Sequence, residues 1–434
     1  MSCAHGLAAE MFESAFSVDT STITFGRGAL AELGEHARAL GIKRAAVFTD
    51  PRVKNLPFFQ GATRSLETSH VDFEVFAQCR VEPTDVSFST AAEFARAGRF
   101  DGYISIGGGS VIDTCKVAAL YATYPAPFLT YVNAPIGEGR PVPGPLPPHI
   151  ACPTTAGTGS ETTAIAVCDI LSIGAKTGIV SRAIRPTRAL IDPTCTASLP
   201  ASVVAAAGFD VLSHALESFT ARPYSCRKKP DSPAQRPLSQ GSNPWSDLGS
   251  IEALRLGGKY LVRAVTDPSD SEAREALSWA ATLAGIAFGN AGVHLPHAMS
   301  YAVAGLAHDF QMPGYPEGES FVPHGISVIL NAPSTFQETA AAAPDKHLTA
   351  ARALGANAAD SDRDNAGEIL TNILTELMKK TGVPNGIAAV GLASSDLPAL
   401  AERAALQKRL TDNAPIDVSV ELLERLFSNS LTLW

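Results

Sequence analysis

The chain has 434 residues, with 34 Lys and Arg against 43 Asp and Glu, a formal charge of −9 with His neutral. That balance argues against broad nucleic-acid binding, and 45% hydrophobic with 18% charged residues describes a packed globule, not a disordered chain. The length suits two ordinary domains, and no run of about eighteen apolar residues marks a membrane span.

The first residues, MSCAHGLAAEMFESAF, lack a basic leader followed by a long apolar stretch, and the first Arg is Arg27. The expectation is a chain without signal or transit peptide. Seven cysteines, with no C-x-x-C pair, point to reduced thiols and a cytoplasmic location. TSTITF (20–25) reads as a strand, GALAELGEHARALG (28–41) as an amphipathic helix, and RAAVFTD (44–50) as a buried strand ending in an acid. FEVFAQ (73–78) predicts a strand, STAAEFARAG (89–98) a helix, and DGYISI (101–106) a further strand. This alternation implies a parallel sheet covered on both faces. After 190–200 the pattern changes to long Ala- and Leu-rich helical stretches, interrupted by a Pro-rich loop at 222–247; another such loop lies at 141–148. The expected architecture is therefore an α/β domain with a parallel sheet over 1–195 and an all-helical domain over 196–434.

Two glycine-rich turns follow strands. SIGGGSVIDTCK (105–116) is strand, turn and helix, so the amides of Gly107, Gly108, Gly109 and Ser110 are placed to meet a phosphate at a helix N-terminus. PTTAGTGSE (153–161) follows the strand HIACP and adds Thr154, Thr155 and Thr158. Two such loops at strand ends suggest a pyrophosphate crevice. Asp50 ends the 44–50 strand, where a carboxylate accepts a ribose diol and repels a 2′-phosphate. That favours NAD over NADP. A plain turn residue explains Asp50 alone equally well.

In the second half, FDVLSHALES (209–218) sets Asp210 and His214 one helical turn apart within an apolar helix. A buried carboxylate needs a partner. GNAGVHLPHAMSYAVAG (289–305) supplies His294 and His297, and ESFVPHGISVIL (319–330) supplies His324. Three imidazoles and one carboxylate form an N3O donor set suited to Fe(II) or Zn(II). Spacing alone does not choose between His294 and His297.

GGGSVIDTCK, PTTAGTGSE, GFDVLSHALES, HLPHAMSYAVAG and VPHG resemble, in order, the iron-containing (group III) alcohol dehydrogenases, whose fold is shared with the dehydroquinate synthases. SYAVAG, QGSNP and GNAGVHLPH look most like the hydroxyacid-oxoacid transhydrogenase branch. The resemblance implies an N-terminal dinucleotide domain and a helical metal domain. It implies metal ligands at Asp210, His214, His297 and His324, and dinucleotide contacts at Asp50, Gly107 to Ser110, Thr154, Thr158 and Lys176. It further implies hydride transfer between an alcohol or hydroxyacid and NAD with Fe(II), or Zn(II) in its place. In that branch 4-hydroxybutyrate becomes succinate semialdehyde while 2-oxoglutarate becomes 2-hydroxyglutarate. Small-molecule substrates and a homodimer or higher homo-oligomer are the expected partners.

Two positions depart from the family pattern. Tyr301 stands where many members have a second histidine, four residues after the ligand matching His297, and is the tentative proton-path residue here. Glu82 stands where many have Asn. The loop residues Arg222, Arg227 and Arg236, with Lys228 and Lys229, are candidate carboxylate contacts; a solvated surface loop is the alternative. A dehydrogenase that releases NADH, and a metal-dependent lyase or synthase of the same architecture, are the competing functions.

Overall fold

A computed structural model describes residues 11–434. Two compact units make it up: Thr20–Ser198 is one, and Leu199–Trp434 with the segment up to Asp19 is the other.

In the first unit the elements are β1 (Thr22–Phe25), α1 (Leu33–Ala39), β2 (Arg44–Phe48), α2 (Pro57–Thr68), β3 (Asp72–Phe76), α3 (Asp85–Gly98), β4 (Gly102–Gly107), α4 (Gly109–Thr123), β5 (His149–Pro153), β6 (Ile165–Ile170), β7 (Ala175–Val180) and β8 (Arg188–Ile191). Six strands form one sheet in the order β1-β8-β5-β4-β2-β3, and every pair in it is parallel. Parallel sheets are covered on both faces, which is why Ala45, Ala46, Val47 and Phe48 of β2 are all 0% exposed. Thr84 begins α3 with a capping box: its hydroxyl accepts the Ser87 N–H at 3.1 Å while Ser87 Oγ accepts the Thr84 N–H at 2.8 Å. The strand β8 was not read from the sequence, and neither were two other features. One is α2, begun by Pro57. The other is the antiparallel β6–β7 hairpin.

The register of β4 with β5 positions the site. Ile106 pairs with Cys152 and Gly107 with Pro153, so the two glycine-rich turns leave neighbouring strands side by side. A Cβ on Gly109 would lie 2.6 Å from the Thr158 side chain. Only glycine permits that approach.

The helical unit contains α5 (Ala201–Thr220), α6 (Pro244–Thr266), α7 (Ser271–Ala291), α8 (Leu295–Leu306), α9 (His324–Ile329), α10 (Ala332–Thr339), α11 (Pro344–Ala353), α12 (Ala366–Thr381), α13 (Leu397–Ala405), α14 (Lys408–Thr411) and α15 (Val420–Ser430). Helix α5 is central and packs on α6, α7 and α9. Between α7 and α8 the chain bends by 101° at Gly292, whose φ is +84°. No single helix among the described residues is long and apolar enough to cross a membrane.

The sequence reading placed residues 11–19 with the sheet domain. They lie on the helical unit instead: Asp19 and Asn290 exchange hydrogen bonds at 2.8 and 3.0 Å, and Glu13 pairs with Arg236 at 3.0 Å. Polar partners more than two hundred residues away in sequence hold this segment, and local periodicity does not encode them. The cysteines also differ from expectation. Cys79, Cys115, Cys152, Cys168 and Cys195 are buried free thiols, but Cys226 is disulfide-bonded, so the thiols are not all reduced. Cys3 and most of the N-terminal stretch read for a leader lie outside the described residues.

Candidate active site

Helix α5 carries Asp210 and His214 on one buried face. A Cβ on Gly325 would lie 1.9 Å from the Ala206 carbonyl oxygen, so α9 reaches α5 closely enough to bring His324 to Asp210. Helix α8 brings His297. Three imidazole Nε2 atoms surround Asp210 Oδ1: His214 at 3.6 Å, His297 at 3.6 Å and His324 at 3.8 Å. Donor atoms of Asp210, His297 and His324 all lie within 4.8 Å of one another, and the His214 ring lies 4.8 Å from the His297 ring, stacked on Phe288.

Among the described residues, Asp210 Oδ1 and His297 Nε2 are buried and have no hydrogen-bond partner. Such orphans are costly unless something else satisfies them. A divalent cation fits: one carboxylate and three imidazoles converge on one point, all buried but the partly exposed His324. Burial would raise the Asp210 carboxyl, but the rings of His214, His324 and His297 hold it well below the usual range. Burial pushes His214 down to about 4, the neutral form a cation requires.

His294 lies apart from these donors. Its Nε2 meets Thr220 Oγ1 at 3.0 Å, while the Thr220 hydroxyl donates to the Leu216 carbonyl at 2.7 Å. The His294 ring therefore donates through Nε2.

Sequence reasoning missed Glu217. Seven residues after Asp210, two helical turns along α5, it is 0% exposed and accepts the backbone N–H groups of His294 at 3.2 Å and His297 at 3.0 Å. It also accepts a short hydrogen bond from His297 Nδ1. That contact fixes the ring so that Nε2 faces Asp210, as carboxylates do behind metal-binding histidines. Burial alone would lower His297, but Glu217 and Asp210 outweigh it and hold it at about 9. The available signal was a second acid in an otherwise apolar helix. Tyr301, one turn beyond His297 on α8, has its ring 6.4 Å from that of His324.

In the sheet unit, Gly107 to Ser110 lead into α4, and the Thr154 N–H donates to the Gly107 carbonyl at 3.0 Å, tying the second turn to the first. Lys116 on α4 is buried and donates to Ser160 Oγ at 2.6 Å, the Ile165 carbonyl at 2.7 Å and Asp113 Oδ1 at 3.3 Å. All three of its N–H groups are used. Sequence reading did not single it out. Asp50 Oδ1 accepts the Arg52 and Val53 N–H groups at 2.8 and 2.9 Å, a turn role. Lys176 is paired with Glu82 at 2.6 Å and Asp169 at 3.1 Å. Burial would lower it, but these two carboxylates hold it above the ordinary lysine range. Glu82 itself adopts φ +53°.

The loop cations Arg222, Arg227 and Arg236 line a separate cavity of about 310 Å³. Arg222 pairs with Asp417 at 3.3 Å, Arg236 with Glu13 at 3.0 Å, and Arg227 donates to Asn413 Oδ1 at 2.5 Å.

Comparison with known proteins identifies the family. The family model for iron-containing alcohol dehydrogenase matches residues 20–193, and that for the Fe-containing alcohol dehydrogenase family, C-terminal, matches 238–431. Hydroxyacid-oxoacid transhydrogenase, mitochondrial, of Rattus norvegicus is 47% identical over 97% of this chain and 90% of its own length; the Homo sapiens protein gives the same figures. A 1,3-propanediol oxidoreductase structure superposes with TM-score 0.84 at 26% identity, covering 96% of this chain and 100% of its own. A sulfoacetaldehyde reductase from Bifidobacterium kashiwanohense, in complex with NAD+, superposes with TM-score 0.79 at 25% identity, covering 96% and 99%. The mitochondrial names of the animal relatives overturn the cytoplasmic expectation. The chain belongs to the iron-containing alcohol dehydrogenase family and is an oxidoreductase.

Proposed function

We propose that the chain is a hydroxyacid-oxoacid transhydrogenase, oxidising 4-hydroxybutyrate to succinate semialdehyde while reducing 2-oxoglutarate to 2-hydroxyglutarate through NAD. The support that carries this reading is identity of 47% over 97% of the chain to relatives named for that activity. Asp210, His214, His297 and His324 would hold one divalent ion, Fe(II) by family, with Zn(II) also suited to the donors. When bound, such an ion supplies Lewis acidity to an alcohol or carbonyl oxygen, and the nicotinamide supplies the hydride acceptor and donor. Glu217 keeps the His297 Nε2 directed at the site. Gly107, Gly108, Gly109, Ser110, Thr154, Thr155 and Thr158 offer amides and hydroxyls to the pyrophosphate. Lys176, neutralised by Glu82 and Asp169, contributes hydrogen bonds to the dinucleotide without free positive charge. Tyr301 is the nearest candidate to pass a proton at the His324 side.

The test combines the native chain, NAD and 4-hydroxybutyrate with and without 2-oxoglutarate. Expected are equal amounts of succinate semialdehyde and 2-hydroxyglutarate, with no build-up of NADH. Steady NADH production at full rate without 2-oxoglutarate would make it a dehydrogenase of the same family. No product from the hydroxyacid in either mixture defeats the substrate reading.

Cofactor choice follows from Asp50. Its charge at the end of β2 would oppose a 2′-phosphate, so NAD is preferred over NADP. Asp50→Gly should narrow the preference by roughly tenfold, on the order of one charge–charge repulsion at a partly wet site. Equal kcat/KM for both nucleotides in the native enzyme would remove this role.

A further inference from the structure

Arg409, like Arg227 of the basic loop, has a neutral hydrogen-bond partner and no acid of its own among the described residues. It lies on α14, which packs against α8, and is half-buried. Its NH1 donates to the buried Ser239 Oγ at 3.2 Å. That hydroxyl is its only hydrogen-bond partner among the described residues, and no carboxylate pairs with it. Arg222 and Arg236, by contrast, have acids of their own. Burial pulls the Arg409 guanidinium below the ordinary arginine range, and Tyr301 is close enough to oppose that electrostatically. A partly desolvated guanidinium with most of its fork uncommitted is a receptor for a carboxylate.

Packing of α14 on α8 sets it against the helix that carries His297 and Tyr301. Tyr301 stands one turn, about 6 Å, beyond His297 on α8, and its ring is 6.4 Å from that of His324. The cations of the 222–236 loop line a cavity of their own, where Asp417, Glu13 and Asn413 meet Arg222, Arg236 and Arg227.

We propose that Arg409 binds the distal carboxylate of the substrate and thereby selects hydroxyacids and oxoacids over plain alcohols. This rests on the transhydrogenase reading and deepens it. In 4-hydroxybutyrate, succinate semialdehyde, 2-oxoglutarate and 2-hydroxyglutarate alike, two methylenes separate the reacting carbon from the distal carboxylate. One fixed guanidinium therefore serves both half-reactions, whereas unrelated acids would need two.

The experiment measures kcat/KM for 4-hydroxybutyrate and for 1-butanol in the native chain, Arg409→Met and Arg409→Lys. The acid-to-alcohol ratio should fall roughly ten- to hundredfold in Arg409→Met, mainly through KM for the acid. Arg409→Lys, retaining charge without the fork, should recover part of it. An unchanged ratio in both variants overturns the assignment; if Arg409→Met does not fold, Arg409→Lys decides by the same criterion. If the native chain does not oxidise 4-hydroxybutyrate, the transhydrogenase reading falls by itself. Arg409 is then judged by succinate inhibition of 1-butanol oxidation, which should weaken about tenfold or more in Arg409→Lys; no such inhibition in the native chain, or inhibition unaltered by the substitution, overturns it.

Discussion

His297→Ala should remove the divalent ion and lower turnover by roughly a thousandfold or more, the scale of several kcal/mol of lost electrophilic stabilisation. His294→Ala should keep both the ion and measurable turnover. The two residues are three apart and both buried, yet their rings do different work. His297 Nε2 lies 3.6 Å from Asp210 and has no hydrogen-bond partner among the described residues, while His294 Nε2 is bonded to Thr220. Removing the His294 ring forfeits that bond and leaves a small cavity, a stability cost of about 1–3 kcal/mol. Metal content per chain, measured after anaerobic loading with Fe(II) and in parallel with Zn(II), separates the cases. Metal kept by His297→Ala and lost by His294→Ala would reverse the ligand assignment.

That pair also marks the limit of what was legible in the sequence. Asp210 and His214 stood out because an acid in an apolar helix demands a partner. The strands stood out because parallel strands buried on both faces are continuous apolar runs, and the phosphate turns because glycine clusters follow such runs. The choice between His294 and His297 depends on the bend at Gly292, which local periodicity does not contain. Glu217 was hidden inside HALES, where its partners come from a turn some 80 residues later. Arg409 and Tyr301 are brought together by the packing of α14 on α8, and Glu13 meets Arg236 across a separation of 223 residues. Contacts of this kind are set by tertiary packing, and propensity carries no record of them. The basic loop shows the converse. Its charge was conspicuous in sequence, but Asp417 and Glu13 answer two of its arginines within the protein.

Lys116→Met should destabilise the Thr20–Ser198 unit by about 3–5 kcal/mol, the usual cost of removing one partner from a buried ion pair, or roughly 10 °C in Tm. Asp113 keeps the Ser160 hydroxyl and the Val167 N–H at 3.0 Å, which places the loss toward the lower end. Ser160 would be held to α4 by Asp113 alone, so KM for NAD should rise more than kcat falls. The deficit should also depend on pH. Burial pushes the Glu161 carboxyl up to about 7, and the Lys116 charge restrains that rise. Since the folded value exceeds the ordinary 4.5, the stability from protonated Glu161 is complete below about pH 4.5 and is lost as pH rises through about 7. At pH 5 Glu161 is mostly neutral and Lys116 does little for it; at pH 8 it is ionised and leans on Lys116. Thermal melts should therefore show a larger Lys116→Met deficit at pH 8 than at pH 5. In a Glu161→Gln background that difference should vanish. A deficit equal at both pH values, or one that keeps its pH dependence without Glu161, would mean that Lys116 stabilises this unit through Asp113 and Ser160 alone.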